Sequence, residues 1–484
     1  MSRSRSSRRQ FLKKTGVAAS AALFSGPILD FLGVTDDAFA AVVRPNLKNL
    51  TATSLTIVSL KRGIAAMQAL PASNPLNWNN FANIHGIGPA PPSGSNPLWN
   101  TCQHGHWWFL PWHRMYLWFF ERAISKLSGD ANFALPFWDY TDVTQRAIPP
   151  MYRTPTTGNV LFIPQRNATL NAGGQLPASA VNLSIAGSFT NFAGPTGTSA
   201  SFGSQQLNAP NHGASPHGRL ETTPHDSVHV AIGGFMGSFG TAARDPIFWA
   251  HHANIDRVWD FWLTMGGGRT DPNNSTWCRQ AFSFPDAKAA TQGATVPKRV
   301  SSVINALPQL GYSYQGVPAV PAQTCPPGTT LGTVVATDLN KTTIKAQPQA
   351  VELGAAPSAV RVTVPKGSAA RTLAARALVL RIEGVTVTAP PGVIYEVYIA
   401  LPAGTKPDPS LPNYVGNLAP FGAEMHDFTA AFRIDAPAKK VITANGGNID
   451  VTFVPRGPLD AQGREVPLRL EGKVSFKAVR LVEE

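Results

Sequence analysis

The spacing of its histidines is the strongest constraint on how this 484-residue chain can fold. His225 and His229 are four residues apart, so on a helix both imidazoles project from one face and can reach the same metal ion. His252 offers a third imidazole from a second helix, which an Asp-Pro pair opens. Asp256 follows one turn later and is predicted to accept the outer N–H of a ligating imidazole. The pattern predicts a helical bundle around a buried metal site.

A second histidine-rich stretch, CQHGHWWFLPWHRMYLWFFERAISKL, begins at Cys102. His104 and His113 cannot share a helix because a proline lies between them, so His113 is predicted to open a new helix that its aromatic residues bury. Arg114 and Glu121 would then be buried charges that need partners. This stretch is predicted to bring further imidazoles to the bundle.

Candidate metal ligands are all imidazoles, with no carboxylate or thiolate among them: His85, His104, His113, His225, His229 and His252. Taken alone, His85 is typical of an ordinary core or surface residue. Imidazole suits zinc, copper, iron or nickel. A dizinc hydrolase would more usually include Asp or Glu, and an iron oxygenase would combine histidine with a carboxylate. Two sites of three histidines therefore favour a copper pair.

The first forty residues differ in kind from the rest of the chain. A basic stretch with Arg8-Arg9 precedes an apolar run over residues 16–29, and an Ala-Phe-Ala cleavage site follows. This order predicts a twin-arginine signal peptide over residues 1–40, passage through the twin-arginine (Tat) export machinery, and a periplasmic or secreted protein. No other segment approaches about eighteen uninterrupted apolar residues, so no stable membrane anchor is predicted. The net charge is +13, of which +3 lies in residues 1–40, and no basic stripe with interleaved aromatics predicts a nucleic-acid partner.

The remaining segments predict the domain organisation. Residues 150–220, rich in Gly, Ser, Asn, Pro and Ala, predict a long surface loop with His212 and His217 solvated. A Pro/Gly-rich linker is predicted over residues 316–345, and later segments such as YEVYIAL and IDVTFVP have the pattern of strands. The predicted fold is mostly α-helical: a central helical bundle over residues 41–315 holds the metal site, and a C-terminal all-β sandwich domain follows over residues 346–484.

The cysteine count leaves one thiol without a disulfide partner, because the chain has three cysteines. If Cys102 has another use, Cys278 and Cys325 are free to pair in the oxidising space beyond the membrane. The sequence leaves that pairing open.

The two histidine-rich stretches resemble the copper signatures of a known family. HGHWWFLPWHRMYLWFFE is similar to the first signature of the tyrosinase and polyphenol oxidase family, and DPIFWAHHANID is similar to the second. The resemblance extends from about Trp78 to Tyr314, and VYIALP, NYVGNLAPFG and VTFVPRG resemble the C-terminal shielding domain of plant-type polyphenol oxidases. It implies a dinuclear centre of two copper ions with O2 as co-substrate. The implied ligands are His85, His104 and His113 for copper A, and His225, His229 and His252 for copper B.

Further residue roles follow from the same resemblance. Cys102 matches the cysteine of a C-x-H motif whose sulfur is bonded to the ligand ring, here His104. Phe239 lies where the family often has a gate ring above the metals, and Glu221 matches a glutamate that holds a water beside copper B. Asp226 stands where many members that hydroxylate monophenols have asparagine.

Two histidines lie directly beside the implied ligands. The signature spacing favours His104 over His106, and it favours His252, four residues before Asp256, over His251. Neither His106 nor His251 is therefore expected to bind copper.

The resemblance implies copper-dependent oxidation of o-diphenols to o-quinones, together with o-hydroxylation of monophenols, by an enzyme made as a latent proenzyme. Small phenols are the expected substrates, and an activating protease is a further expected partner. An apolar side chain of the NYVGNLAPFG loop, Leu418 or Phe421, is expected to occupy the substrate space. A catechol oxidase without monophenol hydroxylation, a hemocyanin-like O2 carrier and a zinc-binding or structural export protein are the alternatives.

Overall fold

The computed structural model describes residues 41–88, 95–326, 343–344, 351–363, 378–434 and 448–483. The predicted signal peptide and most of the predicted linker lie outside these residues. Within them, a helical part comes first and a strand-rich part follows, so the predicted fold class is confirmed. No described helix is both long enough and apolar enough to cross a membrane.

The described residues of the helical part form three long helices and several short ones. The described helices are α1 (Leu55–Ala69), α2 (Trp78–Asn83), α3 (Phe109–Ser128), α4 (Pro150–Arg153), α5 (Ala168–Asn171), α6 (Ser184–Ser188), α7 (Ser227–Ile232), α8 (Ile247–Thr264) and α9 (Ser275–Arg279). Irregular helical turns occupy Leu47–Asn49, Val143–Gln145, Ala178–Val181, Glu221–Asp226, Gly234–Gly237, Ala242–Arg244, Val300–Ser302 and Ala306–Leu310. α3 ends at Ser128, and Gly129 follows with a φ of 77°, the left-handed conformation that commonly closes a helix.

α3 and α8 form the centre of the bundle through aromatic packing. The rings of Phe120 and Trp249 stack with centroids 3.7 Å apart, and Tyr116 lies 4.7 Å from the same tryptophan. α1 packs against α3 at Gly63, where an added Cβ would lie 2.8 Å from Ile124. The two helices that carry His113 and His252 are therefore held together by large buried rings.

Buried charges on these helices form a network, as predicted for Arg114 and Glu121. Arg44 lies 2.9 Å from Glu121, and Arg114 lies 2.6 Å from both Asp256 and Asp260. The predicted role of Asp256 is wrong: it accepts hydrogen bonds from Arg114 and from two tyrosine hydroxyls, and none of its described hydrogen bonds comes from a histidine. A buried guanidinium needs a charged partner, and Asp256 supplies it.

The strands in the described residues form two small ribbons in the helical part and two larger sheets in the C-terminal part. The described strands are β1 (Val42–Arg44), β2 (Ala281–Asp286), β3 (Ala294–Arg299), β4 (Tyr312–Tyr314), β5 (Thr343–Ile344), β6 (Val351–Leu353), β7 (Ser358–Thr363), β8 (Leu378–Val387), β9 (Ile394–Ile399), β10 (Tyr414–Leu418), β11 (Phe428–Arg433), β12 (Asn448–Arg456), β13 (Val474–Phe476) and β14 (Ala478–Glu483). β1 pairs with β4 in parallel, and β2 pairs with β3. The start and the end of the helical part are thus joined.

The C-terminal part is a sandwich of two antiparallel sheets. One sheet has the order β10-β9-β12-β7, and the other has the order β5-β14-β8-β13-β6 with β11 also paired to β8. A shared core contains Val397 and Val451 from the first sheet and Leu380 and Phe476 from the second. Apolar residues on facing sides of both sheets therefore close the sandwich.

The region between residues 150 and 220 is more buried than its composition predicts. Ser199 donates a hydrogen bond to the Ala431 carbonyl at 2.9 Å, and Ser215 donates one to the Asp427 carbonyl at 3.1 Å. His217 is only 4% exposed, so the prediction that it is solvated is wrong. The C-terminal sandwich covers this region, which explains the burial of a segment with loop-like composition.

The cysteines divide into one pair and one free thiol. Cys278 and Cys325 form a disulfide with their Cα atoms 6.0 Å apart. This bond joins α9 to the segment that follows the helical part. Cys102 is free and buried.

Candidate metal centre

His85, His104 and His113 form the first group of facing imidazoles. One ring nitrogen from each lies within 4.8 Å of those of the others. His85 follows α2, His104 lies in the turn before α3, and His113 lies in the first turns of α3. The Nδ1 atoms of His85 and His113 bond to backbone carbonyls at 3.2 and 2.8 Å, which leaves Nε2 of each ring for a ligand.

His225, His229 and His252 belong to a second group beside the first. His229 Nε2 lies 3.2 Å from His252 Nε2, and the rings of His113 and His252 stack with centroids 4.5 Å apart. His225 does not lie on the same regular helix as His229, because Pro224 and an extended Thr223 interrupt the turn that precedes α7. The irregular turn nonetheless brings His225 to 4.6 Å from His229, measured between ring centroids.

The two groups fit bound metal ions because one nitrogen of several of their rings is left without a protein partner. Among the described residues, the Nε2 atoms of His85, His104, His113 and His225 are buried and have no hydrogen-bond partner. An unpaired buried polar atom is costly unless something occupies its lone pair. Burial lowers the pKa of His113 to about 3, so its ring is neutral at neutral pH, the form that binds metals.

His251 also lies in the second group, although the sequence did not favour it as a ligand. Its Nδ1 lies 2.9 Å from the Tyr140 hydroxyl, and its Nε2 has no partner among the described atoms. The contact between the Nε2 atoms of His229 and His252 favours His252 for the shared metal position. His106 differs from both, because its two ring nitrogens contact Asn211 and Trp108 of the protein itself.

Glu221 and Asp226 lie beside the second group with His217 between them. Asp226 accepts hydrogen bonds from Nδ1 of His217 at 2.7 Å and from Nδ1 of His225 at 2.8 Å. Glu221 accepts the N–H of Gly105 at 2.8 Å and lies 3.7 Å from His217. Gly105 has a φ of 73°, and an added Cβ there would collide with the Ala214 carbonyl, so the position requires glycine. This glycine directly follows His104 and joins the carboxylate cluster to the first group.

The Cys102 thiol lies against the first group. Its Sγ atom is 3.2 Å from Nδ1 of His104 and 3.1 Å from Nδ1 of His212. His212 is partly buried, so the prediction that it is a solvated loop residue is also wrong. Burial raises the pKa of the Cys102 thiol well above its usual value.

We expect a thioether between Cys102 and the His104 ring in the copper-loaded protein. Forming the bond would remove the thiol hydrogen and a ring hydrogen, and O2 would take up both hydrogens as H2O2. After reduction of the Cys278–Cys325 disulfide, the intact mass should therefore be two hydrogens below that of the uncrosslinked chain. Protein prepared without copper should lack this difference. A Cys102 that is freely alkylated in active, copper-loaded protein would contradict the cross-link.

Two phenylalanines cover the centre, one from each part of the chain. The ring of Phe239 lies 4.2 Å from that of His104, and its backbone N–H donates to Glu424 at 2.8 Å. Phe421 stacks on His229 with centroids 4.1 Å apart and rings 13° from parallel. Of the two residues predicted to reach the substrate space, Leu418 instead lies in the core of the sandwich.

Comparison with known proteins shows what this centre is similar to. A family model described as the common central domain of tyrosinase matches residues 75–214 and 185–265. The part of the chain that contains both histidine groups is therefore similar to this domain. Tyrosinase HcTyr1 of Hahella sp. strain CCB-MM4 is 34% identical over 320 residues, which span 59% of this chain and 65% of the relative. A latent polyphenol oxidase of Prunus armeniaca is 32% identical over 285 residues, which span 54% of this chain and 46% of the relative. The alignments thus cover less than two thirds of either relative.

Two solved structures extend the similarity of fold over most of the chain. Latent apple tyrosinase has a TM-score of 0.61 at 21% identity and covers 92% of this chain and 98% of its own. A recombinant latent aurone synthase has a TM-score of 0.61 at 23% identity, with 92% and 90% covered. At this identity the structures show a shared fold, which includes the C-terminal sandwich.

Proposed function

We propose that this protein oxidises o-diphenols to o-quinones with O2 at a pair of copper ions. The observation that carries the proposal is two adjacent groups of buried histidines in which several inward ring nitrogens have no hydrogen-bond partner among the described residues. His85, His104 and His113 would hold one ion, and His225, His229 and His252 would hold the other. The copper pair would supply the redox chemistry by which two diphenols give four electrons and four protons to one O2.

The chain's own residues would bind the phenol and exclude water. The rings of Phe239 and of the ligand histidines would provide an aromatic surface for a phenol ring. Buried rings around the histidines keep bulk water from the centre, which favours oxidation over side reactions. The names of the relatives, which include tyrosinase, polyphenol oxidase and catechol oxidase, support this reading.

Export and latency belong to the same proposal. The twin-arginine signal would carry the folded protein out of the cytoplasm, and Phe421 would close the centre until a protease cuts the linker. The similarity to latent enzymes supports the shielding arrangement. The activating protease would act outside the catalytic core, within residues 316–345.

Copper content and oxygen uptake test the function directly. Mature protein should bind about two copper ions per chain. It should consume O2 with 4-tert-butylcatechol, and limited proteolysis should raise the rate of this oxygen uptake. Zinc in place of copper would favour the structural alternative. Reversible O2 binding without catechol turnover would favour an oxygen carrier, and either result would overturn the proposal.

Monophenol hydroxylation depends on Asp226, both of whose oxygens are already engaged by imidazoles. We expect slower turnover of the monophenol tyrosol than of 4-tert-butylcatechol, because a carboxylate with two donors is a poor acceptor for the phenol proton. The Asp226→Asn variant should raise the monophenol to diphenol rate ratio by about tenfold, near 1.4 kcal/mol. The ratio is measured on proteolysed enzyme of known copper content. A lower ratio in the variant would show that Asp226 itself accepts the proton, and absence of tyrosol turnover in both would define a catechol oxidase.

A further inference from the structure

His217 connects to the metal centre although it belongs to neither ligand group. Its side chain is buried, and its Nδ1 donates to Oδ2 of Asp226 at 2.7 Å. The other oxygen of Asp226 accepts from Nδ1 of His225 at 2.8 Å. One carboxylate therefore joins an imidazole outside the centre to an imidazole that would bind copper.

His225 differs from other candidate ligands in the group that orients it. His85, His113 and His229 each place Nδ1 against a neutral backbone carbonyl. His225 places Nδ1 against the carboxylate of Asp226 instead. A carboxylate that accepts the outer N–H fixes the ring and raises its basicity as a ligand. The orientation and basicity of His225 therefore depend on where the Asp226 carboxylate lies, whereas backbone carbonyls orient the other three rings.

Asp226 needs a second donor to stay in this position. Its carboxylate is fully buried, and a buried carboxylate with a single neutral donor would be poorly stabilised. Burial lowers the pKa of His217, but the negative charges of Asp226 and Glu221 outweigh it and raise the pKa to about 9. The ring of Phe428 packs against His217 with centroids 5.2 Å apart and closes its outer side. His217 thus gives the carboxylate both a hydrogen bond and a compensating charge.

We propose that His217 is a positioning residue of the second group: its Nδ1–H holds the Asp226 carboxylate where it orients His225 for the metal. The inference rests on the proposed copper function of that group. It assigns His217 a role in metal retention and turnover through Asp226, without contact with the metal or the phenol.

Two amide substitutions separate this role from a general structural one. His217→Asn keeps an N–H at the same distance from Cβ as Nδ1, whereas His217→Gln moves the N–H one carbon further out. Three quantities are measured for both variants. They are the copper retained against a chelator, the rise in Tm on copper binding and the turnover of 4-tert-butylcatechol. We expect His217→Gln to lose copper about tenfold more readily than the wild type, the lower end for outer-shell partners. His217→Asn, which keeps the hydrogen bond but not the charge, should retain copper better than His217→Gln.

A double-mutant cycle with Asp226→Asn tests whether His217 acts through Asp226. In that background His217→Gln should have little further effect on copper retention, because the carboxylate it positions is gone. Additive losses would overturn the inference, as would equal behaviour of the Asn and Gln variants or an Asn variant that fails to fold. Wild-type protein that neither binds copper nor oxidises catechol would instead contradict the proposed function.

Discussion

Alanine at His113 or at His252 is expected to abolish diphenol oxidation, with a loss of at least about a thousandfold, or ~4 kcal/mol. Each ring is buried and faces the other group, with the two centroids 4.5 Å apart. Removing either would leave one metal position with an incomplete set of donors. Copper content and oxygen uptake with 4-tert-butylcatechol are measured on the same preparations, and both are expected to fall.

His106 provides the matched control for the ligand variants. It is as buried as His113 and lies two residues from His104, but both of its ring nitrogens have protein partners. His106→Gln should therefore keep bound copper and turnover near the wild-type values. Retained activity in either ligand variant would contradict the assignment.

His251 tests the assignment of the second group more sharply. His251 and His252 are adjacent on α8, and both lie in the histidine cluster. If His251→Ala lost copper while His252→Ala kept it, the neighbouring ring would be the ligand. The contact between His229 and His252 leads us to expect the opposite.

The helices and the histidine groups could be predicted because their signals are local. Asp-Pro before α8 marks where that helix begins, and dense aromatic residues identify the buried faces. α3 begins at Phe109, four residues before the start predicted at His113, because a proline is tolerated in the first turn of a helix. The partners of buried charges were less predictable. Asp256 has the spacing of a carboxylate that orients a metal ligand. Its partners in the structure are instead Arg44 and Arg114, which lie far away in the sequence.

His217 shows where sequence reasoning fails for a physical reason. Its segment is rich in glycine, serine and proline, which locally predicts an exposed loop. Its burial comes from Phe428, more than two hundred residues later in the chain. The sequence offered one signal, the position of His217 eight residues before His225. This separation does not correspond to a helical or strand repeat, so it predicts no contact. Side chains whose environment is built by a distant domain need the tertiary structure.

The choice between Leu418 and Phe421 required the structure for a similar reason. Both are apolar, fully buried and three residues apart in one loop-forming segment. Leu418 ends β10 and faces the sandwich core, whereas Phe421 lies past the strand and reaches the histidines. Composition could not show which side of the sandwich each residue faces.

Replacing Phe421 by alanine is expected to raise catechol oxidation by the full mature chain about tenfold or more. The Phe421 ring stacks on His229 and lies 4.7 Å from the ring of Phe239, the place where a phenol ring would have to dock. Burying a phenylalanine stabilises the closed arrangement by about 1.5–3 kcal/mol. Alanine removes that contact and leaves room above the second histidine group. Initial rates with 4-tert-butylcatechol are measured before and after cleavage within residues 316–345.

Cleavage and the Leu418→Ala variant provide the controls for this shielding role. After cleavage removes the sandwich, wild type and Phe421→Ala should reach the same rate, because the ring is then absent from both. Leu418→Ala should create a cavity in the sandwich core, which lowers the free energy of unfolding by about 2–5 kcal/mol and therefore the Tm. At temperatures well below that Tm, this variant should not be more active than the wild type. If Leu418→Ala activated as strongly as Phe421→Ala, the effect would come from a weakened domain. If cleaved protein were no faster than the intact chain, Phe421 would not limit access to the centre.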